Sequence, residues 1–218
     1  MSIIVVHELG HFLTAKHYDW NIDKIYIYPY GGYSKFNDDI NRPLKEELII
    51  LLMGPIFQII YYLLFRNIFS SFFMQFHYSI LFFNIIPIYP LDGGKLLNIL
   101  LSYKFSFLKS IKVTIFSSYV ILFLLAYKLY YDYRALNNFM IVTMVLIKLI
   151  EESRNMYYYF NKFLLERYLK DYIFKKKKII SEVKRMCRDT THVIKYDNAY
   201  CTEKEIIDRY FKNVKKRK

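Results

Sequence analysis

Cysteine is nearly absent: two residues, Cys187 and Cys201, in 218. They form no C-x-x-C pair, which excludes a disulfide scaffold and a cysteine zinc knuckle and leaves two reduced thiols. Glycine is scarce as well, six residues in all. No P-loop and no G-x-G-x-x-G occurs, so neither phosphate cradle is present. There is no internal repeat. Acidic residues are few, 19 against 32 Lys and Arg, for a net charge of +13. What is abundant is apolar and aromatic: 55% hydrophobic, with 23 Tyr and 19 Phe. With a mean hydropathy of +0.12, the chain is too apolar for an ordinary soluble domain of this charge and points to membrane spans. The charge is uneven. Residues 154–218 hold 19 Lys and Arg against 8 Asp and Glu, so an apolar body precedes a basic, water-exposed end.

Within the apolar start lies His7-Glu8-Leu9-Gly10-His11, of the form H-E-x-x-H. On a helix, positions i and i+4 share one face, so both imidazoles can bind one Zn²⁺. Glu8, next to His7, is placed as a general base for a metal-activated water. Ile3 to Val6 precede the motif and Phe12 and Leu13 follow it. Three ionisable side chains in such a segment are costly unless a metal or partner takes them.

A catalytic zinc normally has three protein ligands and a water. The candidate third ligand is Asp92, in Asn84-Ile85-Ile86-Pro87-Ile88-Tyr89-Pro90-Leu91-Asp92-Gly93-Gly94-Lys95. Two prolines break the apolar run and two glycines permit a tight turn. Taken alone, Pro-Leu-Asp-Gly-Gly also reads as an ordinary loop, with Asp92 capping a helix that starts near Lys95. Beside H-E-x-x-H, the ligand reading is favoured.

These two segments together resemble the site-2 protease family of intramembrane zinc metalloproteases. Within it, the chain resembles a sporulation branch with a motif much like N-x-x-P-x-x-P-L-D-G-G-K. Here it is matched at Asn84, Pro87, Pro90, Leu91, Asp92, Gly93, Gly94 and Lys95. The resemblance covers roughly residues 1–170 in order and spacing. It implies that His7, His11 and Asp92 hold zinc, that Glu8 is the catalytic base and that Asn84 orients the substrate backbone. It further implies a membrane-associated precursor as substrate, such as a pro-sigma factor. Alternatives are a general site-2 protease acting on anti-sigma factors or signal-peptide remnants, and a non-catalytic membrane scaffold or transporter.

The expected architecture is mostly α: a polytopic integral membrane helical bundle with a small β-hairpin near the active site. Residues 1–17 read as one helix. Only six residues precede His7, so the first transmembrane helix usual in the family is expected to be missing. Residues 22–36 alternate β-branched and aromatic residues and reach Gly31-Gly32. That pattern suits a hairpin, whose edge could hold an extended substrate, and equally an interfacial aromatic belt. Apolar spans are expected at 48–65, 68–86, 111–131 and 136–150, with a short helix over 95–103. Gly54-Pro55 should kink or closely pack its span, and His77 reads as a hydrogen-bonded packing residue.

The expected division is a membrane-embedded metalloprotease domain over 1–152, a basic amphipathic linker over 153–178 and a short cytoplasmic tail over 179–218. The tail resembles a shortened nucleotide-sensing CBS module. Placing Lys24, Lys35, Arg42 and Lys45 in the cytoplasm brings Asp92 and the basic tail to the same side. Only Arg66, Lys128 and Arg134 remain opposite, which follows the positive-inside pattern. Expected partners are the lipid bilayer, the precursor protein, membrane regulatory proteins and further copies of this chain. Nucleic acid is not expected.

Overall fold

The computed structural model describes residues 2–28, 31–36, 39–68, 70–130, 136–196 and 199–215. Helix α1 spans Ser2–His17 and leads into an antiparallel hairpin, β1 (Ile22–Tyr28) with β2 (Gly31–Phe36). Helices follow at α2 (Leu44–Phe65), α3 (Ser71–Ile85), α4 (Asp92–Ser102), α5 (Phe107–Tyr130) and α6 (Leu136–Leu169). The chain then forms β3 (Lys176–Ile180), a 3₁₀ turn (Val183–Arg185), β4 (Thr190–Tyr196), β5 (Ala199–Cys201) and α7 (Glu203–Lys215). Strand β4 pairs parallel with β3 and antiparallel with β5.

Helix α2 shows why the body is not an ordinary soluble bundle. Its buried positions are Leu44, Ile50, Leu51, Gly54 and Gln58. Its outward face is just as apolar, with Leu63 and Leu64 exposed at 56% and 71%. A water-facing helix would carry polar residues there. At 22 residues and 1.5 Å per residue it is about 33 Å long, close to the thickness of a hydrocarbon core. Among the described residues two helices are long and apolar enough to cross a membrane, Leu44–Phe65 and Phe107–Leu129. Helix α3, with 15 residues, is shorter than the 68–86 span read from sequence.

The elements around the N-terminal helix interlock through small apolar clusters. Ile3 and Ile4 of α1 pack with Ile80 of α3. Leu44 and Leu51 of α2 pack with Ile99 of α4. Ile88, just before α4, packs with Ile115 and Leu122 of α5 and Val145 and Leu149 of α6. The segment leading to Asp92 is therefore wedged into the α5–α6 pair.

Helix α6 differs from the sequence expectation. A span over 136–150 followed by a separate amphipathic segment is instead one helix of 34 residues. No Pro or Gly occurs between Leu136 and Leu169, so nothing interrupts its hydrogen-bond ladder. The boundary drawn at residue 152 lies inside it. Beyond it, Lys176–Lys178 lie in β3 and are exposed.

The last residues share one core with the helices. Phe107, Phe160 and Phe163 are buried with Ile180, Met186, Ile194 and Ile207. The Phe107 and Phe163 rings stack at 4.6 Å. At the centre of this junction Arg167 is 3% exposed, and its guanidinium is fully engaged. It donates to Asn41 Oδ1 (2.7 Å), the Thr190 carbonyl (2.8 Å) and the Cys187 carbonyl (2.9 Å), and pairs with Glu203 (3.1 Å). A buried charge is tolerated when it is paired and hydrogen-bonded in this way. Asp189 accepts from the Leu44 amide at 3.0 Å and Arg188 pairs with Glu47 at 2.6 Å. The C-terminal unit thus grips the first turn of α2.

Candidate metal centre

His7 and His11 lie one turn apart on α1 and are 2% and 5% exposed. The facing wall is α2, which approaches closely because both contact positions are glycine. A Cβ at Gly10 would strike the Met53 carbonyl, and one at Gly54 would strike the His11 ring. This small-residue contact is what lets the imidazole turn inward instead of being pushed out. The expected close packing at Gly54-Pro55 has that physical content here.

Asp92 arrives from the other side. Its turn is built from hydrogen bonds of Ile88 N to the Ile86 carbonyl (2.7 Å) and Leu91 N to the Ile88 carbonyl (2.8 Å). Ser118 Oγ on α5 accepts from the Tyr89 amide at 2.8 Å. Cβ atoms at Gly93 and Gly94 would collide with the backbone of residues 85–89, so Pro-Leu-Asp-Gly-Gly is a tightly folded corner. The helix begins at Asp92 rather than near Lys95, its N-cap is Leu91, and no side chain caps it. The Asp92 carboxylate turns instead to the histidines.

Three atoms converge. Asp92 Oδ2 lies 3.0 Å from His7 Nε2 and 3.2 Å from His11 Nε2, and the two Nε2 atoms are 3.1 Å apart. The outer nitrogens show which way each ring is protonated. His11 Nδ1 is 2.9 Å from the Ile50 carbonyl, which can only accept, so Nδ1 carries the proton. His7 Nδ1 is 2.9 Å from Gln58 Oε1. Gln58 Nε2 donates to the His77 carbonyl at 3.0 Å, which sets the amide so that Oε1 faces His7. Both Nε2 atoms therefore present lone pairs to each other and to a carboxylate oxygen. Three buried lone pairs at this spacing repel unless a positive charge sits among them.

A divalent metal fits that demand. Tetrahedral zinc, with bonds of about 2.0–2.1 Å, sets its neighbouring ligand atoms about 3.3–3.4 Å apart. The triangle of 3.0–3.2 Å needs to open by only a few tenths of an ångström. Two imidazoles and one carboxylate are an established zinc donor set with a fourth position open.

The other expected residues are also here. Glu8 is 6% exposed, and its carboxylate lies within 4.8 Å of the ligand atoms of His7 and His11. Asn84 Nδ2 is 3.5 Å from His7 Nε2. Lys95 Nζ is 3.4 Å from Asp92 Oδ1. His77 is buried and stacks on Tyr62 at 4.5 Å. Sequence reasoning missed Gln58. Its signal was a buried amide four residues after Gly54, on the same face of an otherwise apolar helix.

Parts of this chain are similar to known metalloproteases. Residues 1–76 match peptidase family M50. Stage IV sporulation protein FB of Bacillus subtilis is 33% identical over 181 residues, covering 77% of this chain and 62% of that protein. A zinc metalloprotease of Methanocaldococcus jannaschii is 35% identical over 122 residues, covering 50% of this chain and 35% of that protein. The solved structure of a site-2 protease from Methanocaldococcus jannaschii superposes with a TM-score of 0.57 at 27% identity, covering 70% of this chain and 74% of that one. The fold is similar to that of a solved site-2 protease. Over residues 1–76 the chain matches peptidase family M50, and it is similar to the site-2 proteases. It spans about three fifths of the sporulation relative's length, 62%.

Proposed function

We propose that this chain is an intramembrane zinc metalloprotease that hydrolyses a peptide bond in a membrane-associated protein. The observation that carries this reading is the convergence of His7 Nε2, His11 Nε2 and Asp92 Oδ2 within 3.2 Å, with Glu8 beside them. His7, His11 and Asp92 are the zinc ligands. Zinc bound there supplies Lewis acidity, polarising a carbonyl and bringing the pKa of a water near neutrality. Glu8 accepts the proton of the attacking water and returns it to the leaving amine. Asn84, with its amide toward the centre, donates to the substrate backbone and holds the scissile carbonyl in place.

The substrate must be extended to present that carbonyl. The β1–β2 hairpin follows α1 directly, and its free edge suits addition of a substrate strand by main-chain hydrogen bonds. The apolar outer faces of α2 and α5 support a polytopic arrangement in the bilayer. The distribution of Lys and Arg supports a centre toward the cytoplasmic side, with the C-terminal unit in the cytoplasm. The likeness to a sporulation protein supports a pro-sigma factor as substrate.

The test is reconstitution in lipid vesicles with a membrane-tethered pro-sigma factor. Cleavage stopped by a zinc chelator and restored by zinc is the expected result. A tethered anti-sigma factor cleaved in its place would shift the substrate to the general site-2 class. No cleavage of either, with a zinc-free chain, would favour a scaffold.

A further inference from the structure

Gln58 sits outside the H-E-x-x-H and Asp92 segments, yet its side chain is tied to both histidines beside it, His7 and His77. It is 0% exposed in the middle of α2. Both ends of its amide are committed. Oε1 accepts from His7 Nδ1 at 2.9 Å. Nε2 donates to the His77 carbonyl at 3.0 Å and lies 3.4 Å from His77 Nδ1. The His77 ring is clamped in turn against Tyr62. One side chain thus ties α1, α2 and α3 together at the level of His7.

This arrangement has a directional consequence. A free imidazole carries its proton on either nitrogen. Were Nε2 of His7 protonated, its lone pair would face Gln58 Oε1, another lone pair, while the proton would fill the place a metal needs. The amide could reverse to serve that tautomer only by turning its oxygen toward the His77 carbonyl, which is again an acceptor facing an acceptor. The His77 carbonyl therefore fixes Gln58, Gln58 fixes His7, and the His7 Nε2 lone pair is held toward the centre. The Ile50 carbonyl does the same for His11, but with backbone, which substitution cannot remove. Gln58 is the side chain through which metal affinity can be set.

We propose that Gln58 is a positioning residue for metal binding: it locks His7 in the Nδ1–H tautomer and aims Nε2 at the ion. This rests on the zinc reading above. Partners of this kind outside the ligand set change metal affinity by about 10- to 100-fold.

The experiment uses the full chain in detergent micelles, stripped of metal, with zinc affinity measured by competition against a chromophoric chelator. Gln58→Leu should weaken zinc binding by about 10- to 100-fold. Gln58→Glu, as the neutral acid that burial favours, keeps an acceptor for Nδ1–H and a hydroxyl donor for the His77 carbonyl, and should recover most of that loss. Near-ultraviolet circular dichroism reports whether Gln58→Leu keeps its packing. If it does not, Gln58→Asn, which stays polar but draws the amide back by one methylene, takes its place with the same expected loss. A well-packed Gln58→Leu chain with wild-type affinity overturns the proposal. So does a Gln58→Glu chain as weak as Gln58→Leu. A wild-type chain that takes up no zinc overturns the underlying metalloprotease reading instead, and is told apart because no variant then differs from wild type.

Discussion

Asp92 Oδ2 lies 3.0 Å from His7 Nε2, across 85 residues of chain. Neither residue has a local reason to be where it is. His7 is held by Gln58 on α2, its neighbour His11 by the close Gly10–Gly54 contact, and Asp92 by a corner that only glycine at 93 and 94 permits. Each sits in an apolar setting that would expel it as a lone ionisable group. Together with His11 they form one donor set that a cation would hold together.

Asp92→Asn tests that dependence. The amide keeps the size of the side chain and one acceptor oxygen but removes the negative charge. Zinc content of the purified chain should fall well below one per chain, because two imidazoles alone hold zinc poorly. Helical content should hold, since Ile88 and Ile99 still anchor the corner. Zinc remaining near one per chain would remove Asp92 from the ligand set.

Gly54→Ala tests the helix contact. The new methyl group would occupy the space of the His11 ring. The ring must move off the Ile50 carbonyl or the helices must part. Overpacking of this kind costs about 1–3 kcal/mol. Weaker zinc binding together with lower thermal stability is expected. Ile56→Ala, on the exposed face of the same helix, should leave zinc binding unchanged. Equal effects of the two would place the cause in α2 as a whole rather than in its contact with His11.

Glu203 gives the C-terminal unit a pH dependence. Burial pushes its carboxyl upward, but hydrogen bonds from His192 and the neighbouring Arg167 charge outweigh burial and hold it below the ordinary value of 4.5. A carboxyl depressed on folding contributes stability that is fully present above its unfolded value and is lost as pH falls through the folded one. The unit should therefore hold its stability from neutrality down to about pH 4.5 and lose it below. Limited proteolysis within 170–215 as pH is lowered reads this directly. Glu203→Gln should be cut more readily at pH 7 and should show less change on acidification. A cleavage rate independent of pH in the wild type would contradict the assignment.

Legibility in the sequence followed how local the determinants are. The H-E-x-x-H helix and the hairpin of β1 with β2 follow from local sequence patterns, and both stand in the structure. The Asp92 corner announced itself through its prolines and glycines. Its partnership with His7 and His11 could be inferred only because both segments are costly in isolation. Gln58 was not legible as a partner, because a single amide in an apolar run says that something must satisfy it but not what. Helix α6 was read as two elements because its composition changes near residue 150. Composition does not break a helix, however, and no Pro or Gly is present to do so. Strand β3 was hidden for a similar reason. Lysines at 176–178 argue against a strand locally, and its place is set by parallel pairing with β4, from Lys176 opposite Thr190 to Ile180 opposite Ile194.

The role of Glu8 is the central claim, and one substitution tests it most directly. Glu8→Gln preserves size and removes the base while leaving His7, His11 and Asp92 in place. In vesicles holding the full chain and a tethered precursor, zinc content should remain near one per chain while cleavage falls by at least about a hundredfold, the lower end of general acid–base contributions. Cleavage by Glu8→Gln at the wild-type rate, with zinc in place, would contradict the proposed mechanism.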